Sequence, residues 1–182
     1  MLEIYTIENP AQREVLRAKA RKVQKVTPRL LALAHEMLET MRQANGVGLA
    51  APQVGIRQRF FVAELPADEE EGLPAETYIV FNPEMVKSAG EQVGIEGCLS
   101  IPGYVGEVAR AEEITVKGLD EAGKPVRHKA EGCLARVFQH EIDHLDGQLF
   151  TDRVASLDKL YQIREDRDGD PVRVPFSVTL AF

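Results

Sequence analysis

The pattern His-Glu-x-x-His at positions 140–144 is the part of the sequence whose residue types and spacing most directly suggest chemistry. On a helix, residues four apart share one face, so His140 and His144 can both direct a ring nitrogen at one metal ion. Glu141 is next to His140 and can reach a water at that ion. A metal that acidifies water and a carboxylate that takes the proton together supply a nucleophile near neutral pH. The pattern predicts a metal-dependent hydrolase, although an exposed helix with polar pairs could contain the same five residues.

A catalytic tetrahedral site needs a third protein ligand, and four positions can be weighed for it. The metzincin pattern would require a third histidine where this chain has Phe150, which cannot bind metal. Glu165 has the spacing of the third ligand in thermolysin-like proteases, but it lies in a highly charged stretch. Cys133 lies seven residues before the first histidine, or ~10 Å along the same helix, too far to share the ion. Cys98 lies in a glycine-flanked extended segment that could approach the helix, although an isolated cysteine is more often a buried, inert thiol.

Hydrophobic periodicity and capping residues predict the elements that must position these groups. Apolar residues at helical spacing follow Thr27 as N-cap and Pro28 at the first helical position. Alternating and β-branched runs predict strands, two of which form a hairpin around residues 120–123. The predicted helices are Thr27–Ala44, Glu131–Asp146 and a short third helix at Ser156–Arg164. The predicted extended segments are Arg59–Leu65, Tyr78–Phe81, Met85–Lys87, Glu113–Leu119, Pro125–Ala130 and the tail from Val172 to Phe182. Residues 46–53 are too small and kinked for a regular element, and residues 66–77 are expected to form an acidic surface loop.

The strands fall mainly between the two longer helices and do not alternate regularly with them. This order predicts an α+β fold, with a largely antiparallel sheet packed around a central helix that carries the His-Glu-x-x-His pattern. A length of 182 residues suits a single domain over residues 1–182.

Composition narrows the class of protein further. The chain has 29 acidic and 22 basic residues, a formal charge of −7. This balance gives no support to general nucleic-acid binding, but it does not exclude a local basic patch. Two cysteines in a chain of this length do not form a disulfide framework, and reduced thiols fit a cytoplasmic protein. No run of apolar residues approaches the ~18 needed for a membrane span, and the N-terminus does not resemble a signal peptide.

Three segments, in this order, resemble the three sequence motifs of the peptide deformylase family. They are GVGLAAPQ at 46–53, EGCLS at 96–100 and QHEIDH at 139–144. Three independent motifs in the right order are far less frequent by chance than one. The resemblance extends over most of the chain, from the first long helix to Val154. It implies a hydrolase that removes the formyl group from the N-terminal formyl-methionine of nascent polypeptides and releases formate.

The resemblance also implies roles for individual residues. The metal ligands would be Cys98, His140 and His144, with Glu141 as general acid and base. Gln53 and the Leu99 backbone N–H would stabilise the developing oxyanion. The metal implied is Fe²⁺, replaceable by Ni²⁺, Co²⁺ or Zn²⁺, and the ligand types alone do not choose among these ions.

Four further residues are expected at the substrate. Gly48 would let the backbone approach the substrate closely because it has no Cβ, although ordinary turn geometry explains a glycine equally well. Cys133 and Val137 share the helix face of His140 and would line an apolar methionine pocket together with Val47. Ordinary core packing competes with this assignment.

The partners implied are formyl-methionyl nascent peptides, with a transient ribosome contact. Some relatives dock on the ribosome through a basic C-terminal helix, but here the tail is of mixed charge and then apolar, which puts that mode in doubt. Two other functions remain open at this point. A zincin-type endopeptidase would require Glu165 as third ligand, and a metal-sensing or metal-storing module would not require Glu141.

Overall fold

The computed structural model describes residues 1–67, 74–166 and 169–176. Within these ranges lie three α-helices, three short 3₁₀ turns and nine strands. The helices are α1 (Pro10–Leu16), α2 (Pro28–Gln43) and α3 (Gly132–Leu145), and the 3₁₀ turns are Ala51–Val54, Phe150–Asp152 and Leu157–Lys159. The strands are β1 (Gly48–Ala50), β2 (Phe60–Leu65), β3 (Glu76–Ala89), β4 (Gln92–Cys98), β5 (Ile101–Arg110), β6 (Glu113–Leu119), β7 (Pro125–Glu131), β8 (Leu160–Glu165) and β9 (Pro171–Pro175). None of the described helices combines the length and the apolar character that crossing a bilayer requires.

The strands form two antiparallel sheets. The larger sheet has five strands in the order β1-β2-β3-β6-β7, and the smaller has four in the order β4-β5-β8-β9. The described strand pairs within both sheets are antiparallel. The predicted α+β class with a largely antiparallel sheet is therefore confirmed.

The two predicted long helices form where their capping residues place them. The Thr27 hydroxyl accepts a hydrogen bond from the Leu30 N–H, and Pro28 occupies the first helical position of α2. Helix α3 ends before Gly147, whose φ of +74° favours glycine. A methyl group at Gly147 would also lie 2.4 Å from the Arg17 carbonyl oxygen. The chain therefore turns sharply after α3 and passes close to the end of α1.

Helix α3 packs against the inner face of the five-stranded sheet, so the His-Glu-x-x-His segment is held by the core. Phe138 is fully buried, and its ring contacts those of Phe61 and Tyr78 at centroid distances of 5.1 Å each. Leu145 at the end of the helix is also fully buried. Aromatic and aliphatic burial on one helix face thus fixes the direction in which the opposite face points.

Three sequence expectations are wrong or incomplete, and one helix was missed. The helix expected at Ser156–Arg164 is a 3₁₀ turn followed by β8, because these residues pair with β5 and β9. Residues 46–53 do contain regular structure, namely β1 and a 3₁₀ turn. The two extended segments around Asn82 belong to one strand, β3, which continues past an irregularity where Asn82 has φ +52°. Helix α1 was not predicted. The extended tail is confirmed over β9, but its residues 177–182 lie outside the described residues. The acidic residues 68–71 of the expected surface loop also lie outside the described residues.

We expect Phe138→Ala to lower the free energy of unfolding by about 3–5 kcal/mol, the usual range for removing a buried aromatic ring. Urea unfolding followed by circular dichroism measures this change. Lys129→Ala, at an exposed position on β7, is the control and should change stability by no more than about 0.5 kcal/mol. Equal stability of the two variants would show that the Phe138 cluster does not anchor α3.

Candidate active site and metal centre

Cys98, His140 and His144 form a compact cluster of metal-binding side chains. One ligand atom from each residue lies within 4.8 Å of the other two. His140 and His144 lie one turn apart on α3, and the Cys98 Sγ is 3.2 Å from His144 Nε2. Cys98 reaches them because β4 ends there and the chain reverses into β5. Residues from two elements, 46 positions apart in sequence, therefore meet at one point.

The donor set fits a divalent transition metal. A thiolate and two imidazoles suit several first-row ions, and three protein ligands leave a position open for water. His144 is buried, and within the described ranges its Nδ1 has no hydrogen-bond partner. The other candidate ligands lie elsewhere: among the described residues the cluster includes neither Cys133 nor Glu165, both of which are exposed. Phe150 instead stacks on the His140 ring, at a centroid distance of 6.4 Å.

A buried ionic network orients His140, and sequence reasoning missed it. Glu96 Oε2 lies 2.9 Å from His140 Nδ1, which leaves Nε2 to face the cluster. Both oxygens of Glu96 accept from Arg110 at 2.9 Å, and Arg136 donates to Oε1 at 2.8 Å. Burial alone would raise the pKa of Glu96, but hydrogen bonds from Arg110 and His140 lower it to about 2. Glu96 is therefore an anion whose charge is fully compensated.

Arg110 extends this network to the far side of α3. Its guanidinium also donates to Asp143 at 2.5 Å, and Asp143 accepts two further hydrogen bonds from Arg153, at 2.7 and 3.1 Å. The only sequence clue to Glu96 was its place in the EGCLS motif, two residues before Cys98. Arg110 had no local clue, because its role depends on contacts 14 and 33 residues away.

Glu141 lies beside the cluster, buried but in the lining of the adjacent cavity. Its side chain is buried, and no hydrogen-bond partner for its Oε2 exists among the described residues. Burial raises the pKa of Glu141 to about 7, and the nearby charge of His140 opposes that rise. A carboxylate with a raised pKa and a free oxygen suits proton transfer near neutral pH.

Gly48 faces Glu141, and this explains the glycine in a way that the sequence did not suggest. A Cβ added to Gly48 would lie 2.3 Å from Glu141 Oε1 and 2.8 Å from its carboxyl carbon. The backbone of β1 thus passes so close to the carboxylate that any side chain at this position would require the Glu141 carboxylate to move. Glycine at this position makes room for a side chain of the protein itself.

The Gln53 amide projects toward Cys98 from the 3₁₀ turn after β1. Its Oε1 accepts from the Ala50 N–H at 2.8 Å, which fixes the orientation of the amide. Its Nε2 then lies 3.6 Å from Cys98 Sγ and 3.2 Å from Ser100 Oγ. Leu99 lines the same cavity directly after Cys98. A donor amide and a turn backbone therefore flank the cluster.

These groups open into a cavity of 510 Å³ between the two sheets. Cys133 and Val137 form part of its α3 wall, and Val47, which is 46% exposed, lies at its rim. Its lining includes Val47, Gly48, Gln53, Ile95, Cys98, Leu99, Tyr104, Val105, Cys133, Val137, His140, Glu141 and Ile163. A larger groove of 680 Å³, lined by residues of β3, β6 and β7, contains none of the predicted site residues. The cavity beside the cluster is therefore the candidate substrate site.

Comparison with known proteins agrees with this geometry. Residues 1–160 match the family model described as polypeptide deformylase. A peptide deformylase of Halothermothrix orenii is 49% identical over 157 residues, which cover 86% of this chain and 96% of that protein. The crystal structure of peptide deformylase from Thermus thermophilus is 46% identical with a TM-score of 0.74, covering 85% of this chain and 86% of that one. A Met-Ala-Ser-bound class I type b peptide deformylase from Acinetobacter baumannii is 35% identical with a TM-score of 0.76, covering 85% and 98%. The chain therefore belongs to the polypeptide deformylase family.

Proposed function

We propose that the deformylase activity of this chain depends on a divalent metal ion held by Cys98, His140 and His144, with Glu141 as general acid and base. The cluster of three ligand atoms within 4.8 Å, beside a buried carboxylate with a free oxygen, is the observation that carries the proposal. The reaction is hydrolysis of a formyl amide: water attacks the formyl carbon, the C–N bond breaks, and formate and a free amine leave.

The metal ion and Glu141 have separate roles in this reaction. When bound, the ion lowers the pKa of a water molecule and polarises the formyl oxygen. Glu141 accepts the proton of the attacking water at its carboxylate and then donates it to the leaving amine. Its buried position beside the ligands suits both transfers.

The negative charge that develops on the formyl oxygen requires hydrogen-bond donors. Gln53 Nε2 and the Leu99 backbone N–H are the donors we assign to it. Support for Gln53 comes from its Oε1, which accepts from Ala50 and so turns the NH₂ group toward the cluster. Donors that are oriented before the reaction stabilise an oxyanion without reorganising.

The substrate class is an N-terminal formyl-methionyl peptide. Val47, Cys133 and Val137 supply largely apolar lining for the methionine side chain, and Gly48, directly after Val47, lines the same cavity. Nascent polypeptides are the source of this substrate in the cell, and we assign a cytoplasmic location and a transient ribosome contact on that basis. Residues 1–182 form one catalytic domain in this proposal. The metal we assign is Fe²⁺, with Ni²⁺, Co²⁺ or Zn²⁺ able to substitute.

The experiment that tests this function is hydrolysis of formyl-Met-Ala-Ser by anaerobically purified protein, compared with Glu141→Gln. We expect formate release by the wild-type chain and a loss of 10²–10⁴-fold in kcat for the variant, about the contribution of a positioned proton-transfer group. Metal content should be equal in the two, because Glu141 is not a ligand. A folded Glu141→Gln variant without metal would contradict the assignment, and wild-type protein that binds metal without activity would favour a metal-sensing module.

Cys98→Ser and Cys133→Ser should show which cysteine binds the metal and which one only lines the substrate cavity. We expect Cys98→Ser to lose most of its iron or nickel, since a hydroxyl is a harder and weaker ligand than a thiolate. Cys133→Ser should keep full metal content and show at most a modest change in KM. Metal analysis after identical purification measures both. Retention of metal by Cys98→Ser, with loss by a folded Cys133→Ser, would overturn the ligand assignment.

Gly48→Ala should reduce kcat by displacing the Glu141 carboxylate, since a methyl group at position 48 would overlap that carboxylate. We expect a loss approaching that of Glu141→Ala, with metal content unchanged. The decisive measurement is the double variant: once Glu141→Ala has removed the carboxylate, Gly48→Ala should add little further loss in kcat. Full additivity of the two effects would mean that Gly48 acts on the substrate instead.

A further inference from the structure

The β8–β9 hairpin lies beyond the part of the chain that matches the family model. The match ends at residue 160, where β8 begins, and the hairpin continues to Pro175. Its strands pair from Tyr161 opposite Pro175 to Glu165 opposite Pro171. A segment outside the region that defines a family is a place where one member can carry a preference of its own.

The start of β8 fixes the hairpin on the four-stranded sheet. Strand β8 pairs with β5 over Leu160–Gln162. The Lys159 ammonium and the Tyr161 hydroxyl both donate to the Glu107 carboxylate, at 3.1 and 3.0 Å. The Phe176 N–H donates to the Leu160 carbonyl at 2.8 Å. These contacts hold β8 beside β5, so the side chains that follow this pairing have defined positions.

Strand alternation places the side chains of β8 on two faces of this sheet. Leu160 packs with Val108 and Phe150 in a small core cluster, so it faces inward. Tyr161 directly follows Leu160 and therefore projects from the opposite face, together with its β5 partner Val105. Ile163, two residues further along β8, shares the face of Val105 and Tyr161.

This face continues the substrate cavity across the small sheet. Gly97 of β4 is opposed to Val105, so Ile95, two residues earlier on β4, lies on the same face. Ile95 is 40% exposed, and Val105 and Ile163 are half-buried. All three side chains line the cavity that contains the metal-binding cluster. We name Ile95, Val105 and Ile163 the apolar face.

The charged groups on this side of the sheet are compensated or lie at its margin. Glu107, opposed to Ile95, accepts from Lys159 and Tyr161. Arg173 is opposed to Ile163 on β9 and is exposed, so the apolar face ends there. A group that binds over Ile163 therefore gains more from burying apolar surface than from carrying a charge.

We propose that Ile163 makes the apolar face a subsite for the third residue of the substrate and gives the enzyme a preference for an apolar side chain there; this rests on the proposed function. Two strand spacings, about 10 Å, separate β8 from β4, which ends at Cys98. An extended peptide with its formyl group at the cluster covers about this distance with three residues. Successive side chains of an extended peptide project to opposite sides, so the second residue should not contact Ile163.

The test measures the affinity of formyl-Met-Ala-Leu, formyl-Met-Ala-Ser, formyl-Met-Ala-Glu and formyl-Met-Leu-Ser by calorimetry. The full chain carries Glu141→Gln in these measurements, so that the peptides are not turned over. Ile163→Thr removes apolar surface but keeps the β-branched shape that suits a strand. Val172→Thr is the matched control, because it makes the same kind of change on the same hairpin at a residue next to Arg173, which faces the other way. Ile163→Val keeps the apolar character of the position.

With Ile163 present, we expect formyl-Met-Ala-Leu to bind at least about fivefold more tightly than formyl-Met-Ala-Ser, the effect of burying roughly half of a leucine side chain. Val172→Thr and Ile163→Val should keep most of this ratio. Ile163→Thr should reduce it to less than about twofold while its circular dichroism and melting temperature stay those of the control. The affinity for formyl-Met-Leu-Ser should be the same in all of these chains. Ile163→Ala takes the place of Ile163→Thr if the latter does not fold.

An unchanged ratio in a folded Ile163→Thr variant would overturn the proposal, and so would tightest binding of formyl-Met-Ala-Glu, which would assign the position to Arg173. Dimerisation of the chain that Ile163→Thr abolishes would assign the apolar face to a second copy instead. The same peptides are then given to chains that retain Glu141, and formate is measured. Binding with the Ile163-dependent ratio but without formate release would refute the proposed function and leave the subsite standing. Formate release without the ratio would do the reverse, and failure to bind any of the peptides would refute both.

Discussion

The need to compensate one buried carboxylate, Glu96, organises the centre of this protein. An ionised carboxylate removed from water is tolerated only when opposite charges and hydrogen bonds surround it. Arg110 and Arg136 supply those charges, and His140 supplies a third contact. The same contact that satisfies Glu96 also turns the other nitrogen of His140 toward the metal cluster. Stability and ligand geometry therefore depend on the same set of atoms.

The fold serves this arrangement by bringing three segments to one end of α3. The five-stranded sheet buries one face of the helix through Phe138, which directs the histidines toward the opposite side. The turn between β4 and β5 delivers Cys98 to the cluster, and the short strand β1 passes so close that Gly48 touches the Glu141 carboxylate. A cavity opens where the two sheets diverge, with α3 as its wall. Each element is ordinary, and the site arises from where they meet.

Electrostatics sets the requirements at the site. Burial raises the pKa of Glu141 to about 7, close to neutral pH, whereas hydrogen bonds from Arg110 and His140 keep the pKa of Glu96 at about 2. Two buried carboxyl groups on either side of His140 therefore differ in their tendency to hold a proton. The carboxyl group without a cationic hydrogen-bond partner is the one we assign to proton transfer.

The sequence alone determined the features that depend on local spacing. Four-residue spacing placed His140 and His144 on one helix face, and Thr27 with Pro28 marked the start of α2, because helix geometry and capping act within one or two turns. Alternating residues likewise identified the β6–β7 hairpin. The order of strands and helices indicated the fold class, and the three motifs indicated the family and the set of residues to examine.

Only the tertiary structure decided which distant residues share the site. Spacing left both Cys98 and Glu165 open as third ligand, and the β4–β5 turn brings only Cys98 to the histidines. Residues 160–165 became a strand because β5 and β9 offered pairing partners, which outweighed local helical preference. The roles of Arg110 and Gly48 could not be seen locally, since each is defined by a contact made after the chain has closed on itself. Long-range contacts leave no periodic trace in sequence, and this is the physical reason that they had to be found in the structure.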